Sequence, residues 1–242
     1  MIDLHSHILP ELDDGAGSLR ESLSMARLAV ESGVTRMVVT PHCAEDRSAE
    51  VLRAYRLLKE ALEEYEIPLK LHLGMEIFGT HSTARLLQEG KLFTLNRSRY
   101  PLVEFAFYSD GEEETRILRS ILRAGYQPLV AHPERYEYVQ HDPELINQWK
   151  QMGCLFQINR GSLLGRFGRG AQYMAGELVE RGFATVVASD AHSSRRRTPW
   201  LRDAWELLNE ELSPVAAEFL LKRNPASILK NEQLPGVEPE WF

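Results

Sequence analysis

The chain has 242 residues, 43% hydrophobic and 26% charged, which is the make-up of a globular protein with ample length for a full core. Its formal net charge of −7 argues against a nucleic-acid surface, which demands clustered Lys and Arg, although bound divalent cations would make one cleft locally positive. Cys43 and Cys154 are too few for a disulfide framework, and no stretch approaches ~18 uninterrupted apolar residues, so neither export nor membrane insertion is expected.

The opening MIDLHSHILPELDD reads as a strand and loop. Side chains two apart on a strand share a face, so Asp3, His5 and His7 point one way and Ile2 and Leu4 the other, with Asp14 in the following LDDG loop. Ser18 is an N-cap with Glu21 as its capping-box partner, opening a helix that runs to about Ser32 and ends at Gly33. The β-branched run TRMVVTPHC is a buried strand that delivers His42. A charged helix from about Arg47 to Glu66 leads to KLHLGMEI, where Glu76 faces away from the row Leu71, Leu73, Met75 and Ile77. A short helix at about 81–89 precedes YPLVEFA, which sets Glu104 in a hydrophobic strand where a carboxylate needs a partner or a metal.

The second half repeats this grammar. A helix from about Glu112 to Ala124 is followed by the strand QPLVAHP, ending in His132; a helix from Pro143 to Met152 is followed by CLFQINR. The loop GSLLGRFGRG and a helix to Arg181 lead to ATVVASDAH, which places Asp190 and His192 on one side. Helical stretches at about 201–211 and 214–223 and an extended tail at about 233–242 complete the chain, taken as a single domain over 1–242. Seven strands alternating with helices predict an α/β fold with parallel pairing and right-handed crossovers, closed into a distorted seven-stranded barrel. The odd polar residues lie at the C-terminal strand ends, where such barrels build active sites; an open doubly wound sheet would gather them less readily.

Those residues are His5, His7, Asp14, His42, Glu76, Glu104, His132, Asp190 and His192, five imidazoles and four carboxylates. Any one alone reads as an ordinary core or surface residue, and Glu76 or Glu104 as an ion-pair partner for an Arg. Recurrence at successive strand ends points instead to metal binding, with more ligands than one ion can use and Glu76 placed to bridge. A pair of ions about 4 Å apart can clamp the attacking and leaving oxygens of a phosphoryl transfer and lower the pKa of bound water.

The segments HSHILPELDDG, TPH at His42, GMEI, VEF, AHPERY and SDAH resemble the polymerase and histidinol phosphatase (PHP) superfamily, and within it the manganese-dependent protein-tyrosine phosphatases of bacterial capsule and exopolysaccharide operons. The resemblance spans residues 1 to about 199 and implies a distorted seven-stranded β/α barrel of the PHP type with a trinuclear site. It implies one ion held by His5, His7, Glu76 and Asp190, a second by Glu76, Glu104 and His132, and a third by Asp14, His42 and His192. Manganese is the implied ion, with Fe, Zn, Co or Mg as alternatives.

Arg135 in HPERY and Arg197 in SDAHSSRRR lie just beyond ligand-bearing strand ends, where a guanidinium can bind phosphate oxygens in bidentate fashion; the resemblance supports both. A solvated basic loop is the plainer reading of Arg195, Arg196 and Arg197. Arg160 and Arg169, on other loops of that face, are weaker candidates for meeting an acidic peptide. Cys43 lacks the Cys-x5-Arg loop of cysteine phosphatases and is read as packing; His72, His81 and His141 are left outside the site. The expected activity is hydrolysis of phosphotyrosine on a cognate bacterial tyrosine autokinase, by a cytoplasmic, monomeric enzyme. The alternatives are a small-molecule phosphatase of the same superfamily, acting on a histidinol phosphate-like substrate, and a non-catalytic metal-binding regulatory module.

Overall fold

The computed structural model describes residues 1–234, so most of the tail expected at 233–242 lies outside the described residues. Nine short strands are present among them: β1 (Ile2–Asp3), β2 (Arg36–Val39), β3 (His42–Cys43), β4 (Lys70–Leu73), β5 (Glu76–Phe78), β6 (Leu102–Glu104), β7 (Leu129–Ala131), β8 (Leu155–Asn159) and β9 (Val186–Ala188). Every pairing is parallel, in the orders β1-β2-β4 and β3-β5-β6-β7-β8-β9. All seven expected strand segments are therefore found, but the second and third are each interrupted. Pro41, which has no N–H to give a ladder, separates β2 from β3, and Gly74 separates β4 from β5. A Cβ at Gly74 would come within 2.8 Å of the Val38 side chain, so the break is packed closely against β2.

Alternation along the strands sorts the core. Ile2, Leu4, Val38, Leu102, Leu129, Ala131 and Val186 form a small cluster with Ile228 and Leu229 from the helix Asn224–Leu229. Met37, Val39, Ile77, Val103, Val130, Ile158 and Val187, one residue out of phase, join the helical layer in the main core. Helices Leu19–Glu31, Ser48–Glu64, Thr83–Gln88, Glu112–Arg123, Glu144–Met152, Arg169–Glu180 and Arg202–Glu211 match the expected stretches to within a few residues at each end. The stretch expected as one helix at 214–223 is Pro214–Glu218 followed by a π-helical turn, Phe219–Arg223. Ser18 caps the first helix as expected, accepting from the Glu21 N–H at 3.2 Å. The Glu21 side chain, however, accepts from Ser194 N at 2.7 Å rather than closing a capping box, and so ties this helix to the loop after β9.

Candidate metal centre

The chain leaves β1 at Asp3, and backbone hydrogen bonds clamp the next residues between two neighbours. Asp190 N donates to His5 O at 3.0 Å, His7 N to Ala191 O at 2.8 Å and Thr40 N to Ser6 O at 2.9 Å. His-x-His is thereby held between the segment that carries His42 and the one that carries Asp190 and His192. Asp3, read from the sequence as sharing their face, does not reach the cluster: Ser189 donates to it through both N–H and Oγ.

All nine candidate ligands converge at the C-terminal strand ends. Glu76, fully buried, is the hub: its Oε2 lies 3.1 Å from His5 Nε2, His7 Nε2 and His42 Nδ1, and its Oε1 lies 2.9 Å from His132 Nε2. Asp190 Oδ1 is 3.4 and 3.5 Å from His5 and His7 Nε2. Glu104 lies 2.6 Å from His42 Nδ1 and 4.0 Å from His132 Nε2. Asp14, more exposed than the rest, sits 3.5 Å from His42 and 3.3 Å from His192. Their ligand atoms fall into four overlapping groups: His5, His7 and Asp190; His5, Glu76 and His132; His42, Glu76 and Glu104; and His7, Asp14, His42 and His192. His42 thus faces two groups, Nδ1 toward the glutamates and Nε2 toward Asp14, where the family resemblance implies one. His132 and Asp190 hold left-handed backbones with φ of 36° and 50°, a strain of about 1–3 kcal/mol each of the kind that clusters at functional sites.

The donor chemistry fits divalent ions. His5 Nδ1 faces Gln157 Oε1 at 2.8 Å and His7 Nδ1 faces Asp13 Oδ2 at 2.7 Å, so both Nδ1 atoms are donors. That leaves the Nε2 lone pairs 3.2 Å apart, converging with carboxylate oxygens on one point, and Glu76 Oε2 is buried without a hydrogen-bond donor. Burial disfavours the charged form of these imidazoles, but Glu76 and Asp190 beside His5, and Asp13, Asp190 and Glu76 around His7, raise both above their usual range. Against the same burial, the imidazoles hold Glu76 and Asp190 well below the usual carboxylate range. His192 goes the other way, down to about 4, because burial and the neighbouring His7 disfavour its charge.

Several supporting residues were not singled out from sequence. Asp13 holds His7 Nδ1, His42 N at 3.1 Å and Gly15 N at 3.0 Å. Gln157 links His5 to Asn159, whose Nδ2 donates to Asp190 Oδ2 at 2.6 Å. Both amides lie two apart at the end of β8, the strand-end signal that selected Glu104. Arg135 and Arg197 lie at the edge of the cluster, both on Asp190 Oδ2, Arg135 at 3.3 Å, and Arg197 Nε is buried with no hydrogen-bond partner. Arg160 is a correction: it is 3% exposed and paired with Asp203 through Nε and Nη2, which makes it an internal strut between the turn Arg160–Leu163 and the helix Arg202–Glu211. Burial pushes the Cys43 thiol up to about 12, in keeping with a packing role. His72 is tied to Asn96, the exposed His81 to Glu113 and His141 to Glu137 O, all apart from the cluster.

The family model described as "Capsular polysaccharide synthesis, CpsB/CapC" matches residues 1–230. The chain belongs to the CpsB/CapC family. The tyrosine-protein phosphatase YwqE of Bacillus subtilis (strain 168) is 33% identical over 244 residues, covering 99% of this chain and 96% of that protein. The tyrosine-protein phosphatase CpsB of Streptococcus agalactiae is 30% identical over 97% of this chain and 100% of its own length. A solved structure of YwqE from B. subtilis and CpsB from Streptococcus pneumoniae, described as unique metal-dependent tyrosine phosphatases, superposes with a TM-score of 0.92 at 33% identity, covering 99% of this chain and 98% of that one. A D-hydantoinase, at 13% identity and a TM-score of 0.56, shares the fold alone. Among the described residues of this family member, no helix is long and apolar enough to cross a membrane.

Proposed function

We propose that this CpsB/CapC protein is a metal-dependent protein-tyrosine phosphatase that removes phosphate from a bacterial tyrosine autokinase of capsule or exopolysaccharide synthesis. The observation that carries the reading is the convergence of five imidazoles and four carboxylates into four overlapping groups in one cluster, with two guanidiniums at its edge. The full-length likeness to proteins named tyrosine phosphatases supports the substrate class. Divalent ions held there, manganese by preference, would polarise phosphoryl oxygens and lower the pKa of water. His5, His7, Glu76 and Asp190 would hold one ion, with Glu76 shared by a second set containing Glu104 and His132, and Asp14, His42 and His192 would hold a third. Arg135 and Arg197 bind the phosphate. The partly exposed guanidinium of Arg197 offers donors to phosphate oxygens, and fixed cations at that point stabilise negative charge that grows in the transition state. Asp13, Gln157 and Asn159 orient the ligands.

The framework is proposed to be one distorted seven-stranded barrel, with β2 and β3, and likewise β4 and β5, each counting as one interrupted strand. The backbone bonds between residues 5–7 and 190–191 support closure. Chelator-stripped protein reloaded with Mn²⁺ is expected to hydrolyse a phosphotyrosine peptide far faster than histidinol phosphate. The reverse order would assign it to small-molecule phosphatase chemistry, and stoichiometric metal binding with no hydrolysis to a regulatory module.

A further inference from the structure

Beside the metal centre lies an open pocket of about 290 Å³, lined by Phe107, Arg135, Gln140, Phe167 and Ala171 among others. Phe107 follows β6 and is 36% exposed although it is a large apolar side chain; its ring lies 6.0 Å from the ring of His132. Phe167 comes from the loop between Arg160–Leu163 and Arg169–Glu180, at the far side. The Arg135 guanidinium sits over both rings, 4.7 Å from the centroid of Phe107 and 4.2 Å from that of Phe167, and Arg197 lies 5.6 Å from Phe167. The placement of Phe167 is built in by the chain. A Cβ at Gly161 would come within 2.5 Å of its ring, so only glycine lets it lie there, and Gly165 and Gly168 turn the loop with φ of 72° and 92°.

We propose that Phe107 and Phe167 form an aromatic slot that takes the aryl ring of the phosphoester and selects aryl over alkyl phosphates, resting on the phosphatase reading above for which bond is cleaved. With the Arg135 guanidinium over both rings, a phosphotyrosine whose phosphate reaches Arg135 and Arg197 would bring its own ring against the free edges of the two phenyl groups. Aromatic rings pack favourably edge-to-face or offset against one another, and an alkyl chain lacks that contact. Arg135 serves both parts of the substrate, its edge donating to phosphate while Phe107 and Phe167 hold its plane.

Discrimination is read with two unreactive probes on manganese-loaded protein, benzylphosphonate and methylphosphonate, by calorimetry. The native chain is expected to bind the benzyl compound at least about 10-fold more tightly, and Phe107→Ala and Phe167→Ala each to cut that ratio about 3- to 10-fold. Gly161→Ala, which displaces the Phe167 ring without removing it, should act in the same direction. Equal loss for both probes would mean that the rings only position Arg135, and would overturn the slot. Equal affinity of the native chain for both probes would overturn it too, even if phosphotyrosine were hydrolysed. A native preference for the benzyl probe lost in both phenylalanine variants, in a protein that hydrolyses no phosphoester, would uphold the slot while removing the phosphatase reading.

Discussion

Asp13→Asn should weaken both the fold and the metal centre through one contact. Asp13 Oδ2 accepts from His7 Nδ1 at 2.7 Å and from His42 N at 3.1 Å, so a single carboxylate orients two candidate ligands. Although burial opposes ionisation, His7 and the amides of Gly15 and His42 hold this carboxyl down from 3.8 to about 2. At ~1.36 kcal/mol per pKa unit, that depression corresponds to about 2 kcal/mol of stability in the metal-free protein at neutral pH. Because the folded pKa is lowered, the contribution is fully present above the unfolded value and lost as pH falls through the folded one, leaving about 1 kcal/mol at pH 3. The same ion pair raises His7, so it counts once. Urea unfolding of stripped protein should therefore show Asp13→Asn less stable by about 2 kcal/mol at pH 7, with the gap narrowing toward pH 3. Loss of an orienting partner should also weaken manganese binding by about 10–100-fold. A gap that does not change with pH, together with unaltered metal affinity, would refute this reasoning.

Glu76→Gln, which removes the charge of the hub and replaces one of its two oxygens by an amide NH2, should leave stripped protein folded but lower manganese-dependent hydrolysis by more than the ~100-fold expected of an outer partner, as measured by initial rates on a phosphotyrosine peptide. Arg197→Lys keeps the charge but loses the planar fork, and its kcat/KM should fall about 10- to 100-fold with metal content unchanged. In Gly15→Ala the new Cβ would lie 2.0 Å from His7 O, a backbone atom that cannot turn aside, so metal retention after dialysis should drop. Cys43→Ser should retain activity within about 3-fold, since the buried thiol is kept protonated; its loss would point to cysteine chemistry.

The nine candidate ligands were legible because all but Asp14, which lies in the LDDG loop, are polar residues at or near the end of a hydrophobic run, a place that packing alone does not explain. The same criterion applied to β8 finds Gln157 and Asn159, but amides are ordinary enough in loops that neither stands out beside imidazoles. Asp13 was hidden by its neighbour: of two adjacent carboxylates in LDDG, sequence does not show which one turns inward. Arg160 misled for the opposite reason, since its partner Asp203 lies 43 residues on and pairs with it only through the tertiary fold. The breaks in the second and third strands were marked by Pro41 and Gly74, yet the switch of pairing across them depends on how the strands curve. Phe107 and Phe167 carried no signal, because a lone phenylalanine in a loop reads as packing until a guanidinium is seen over its ring.

Crystals of the manganese-loaded protein, measured for anomalous scattering at the manganese edge, test the central claim most directly. The account predicts two or three peaks within coordination distance of the nine residues, with at least two of them sharing Glu76. Active crystals with no anomalous density in that cluster, or with a single ion bound elsewhere on the chain, would contradict it.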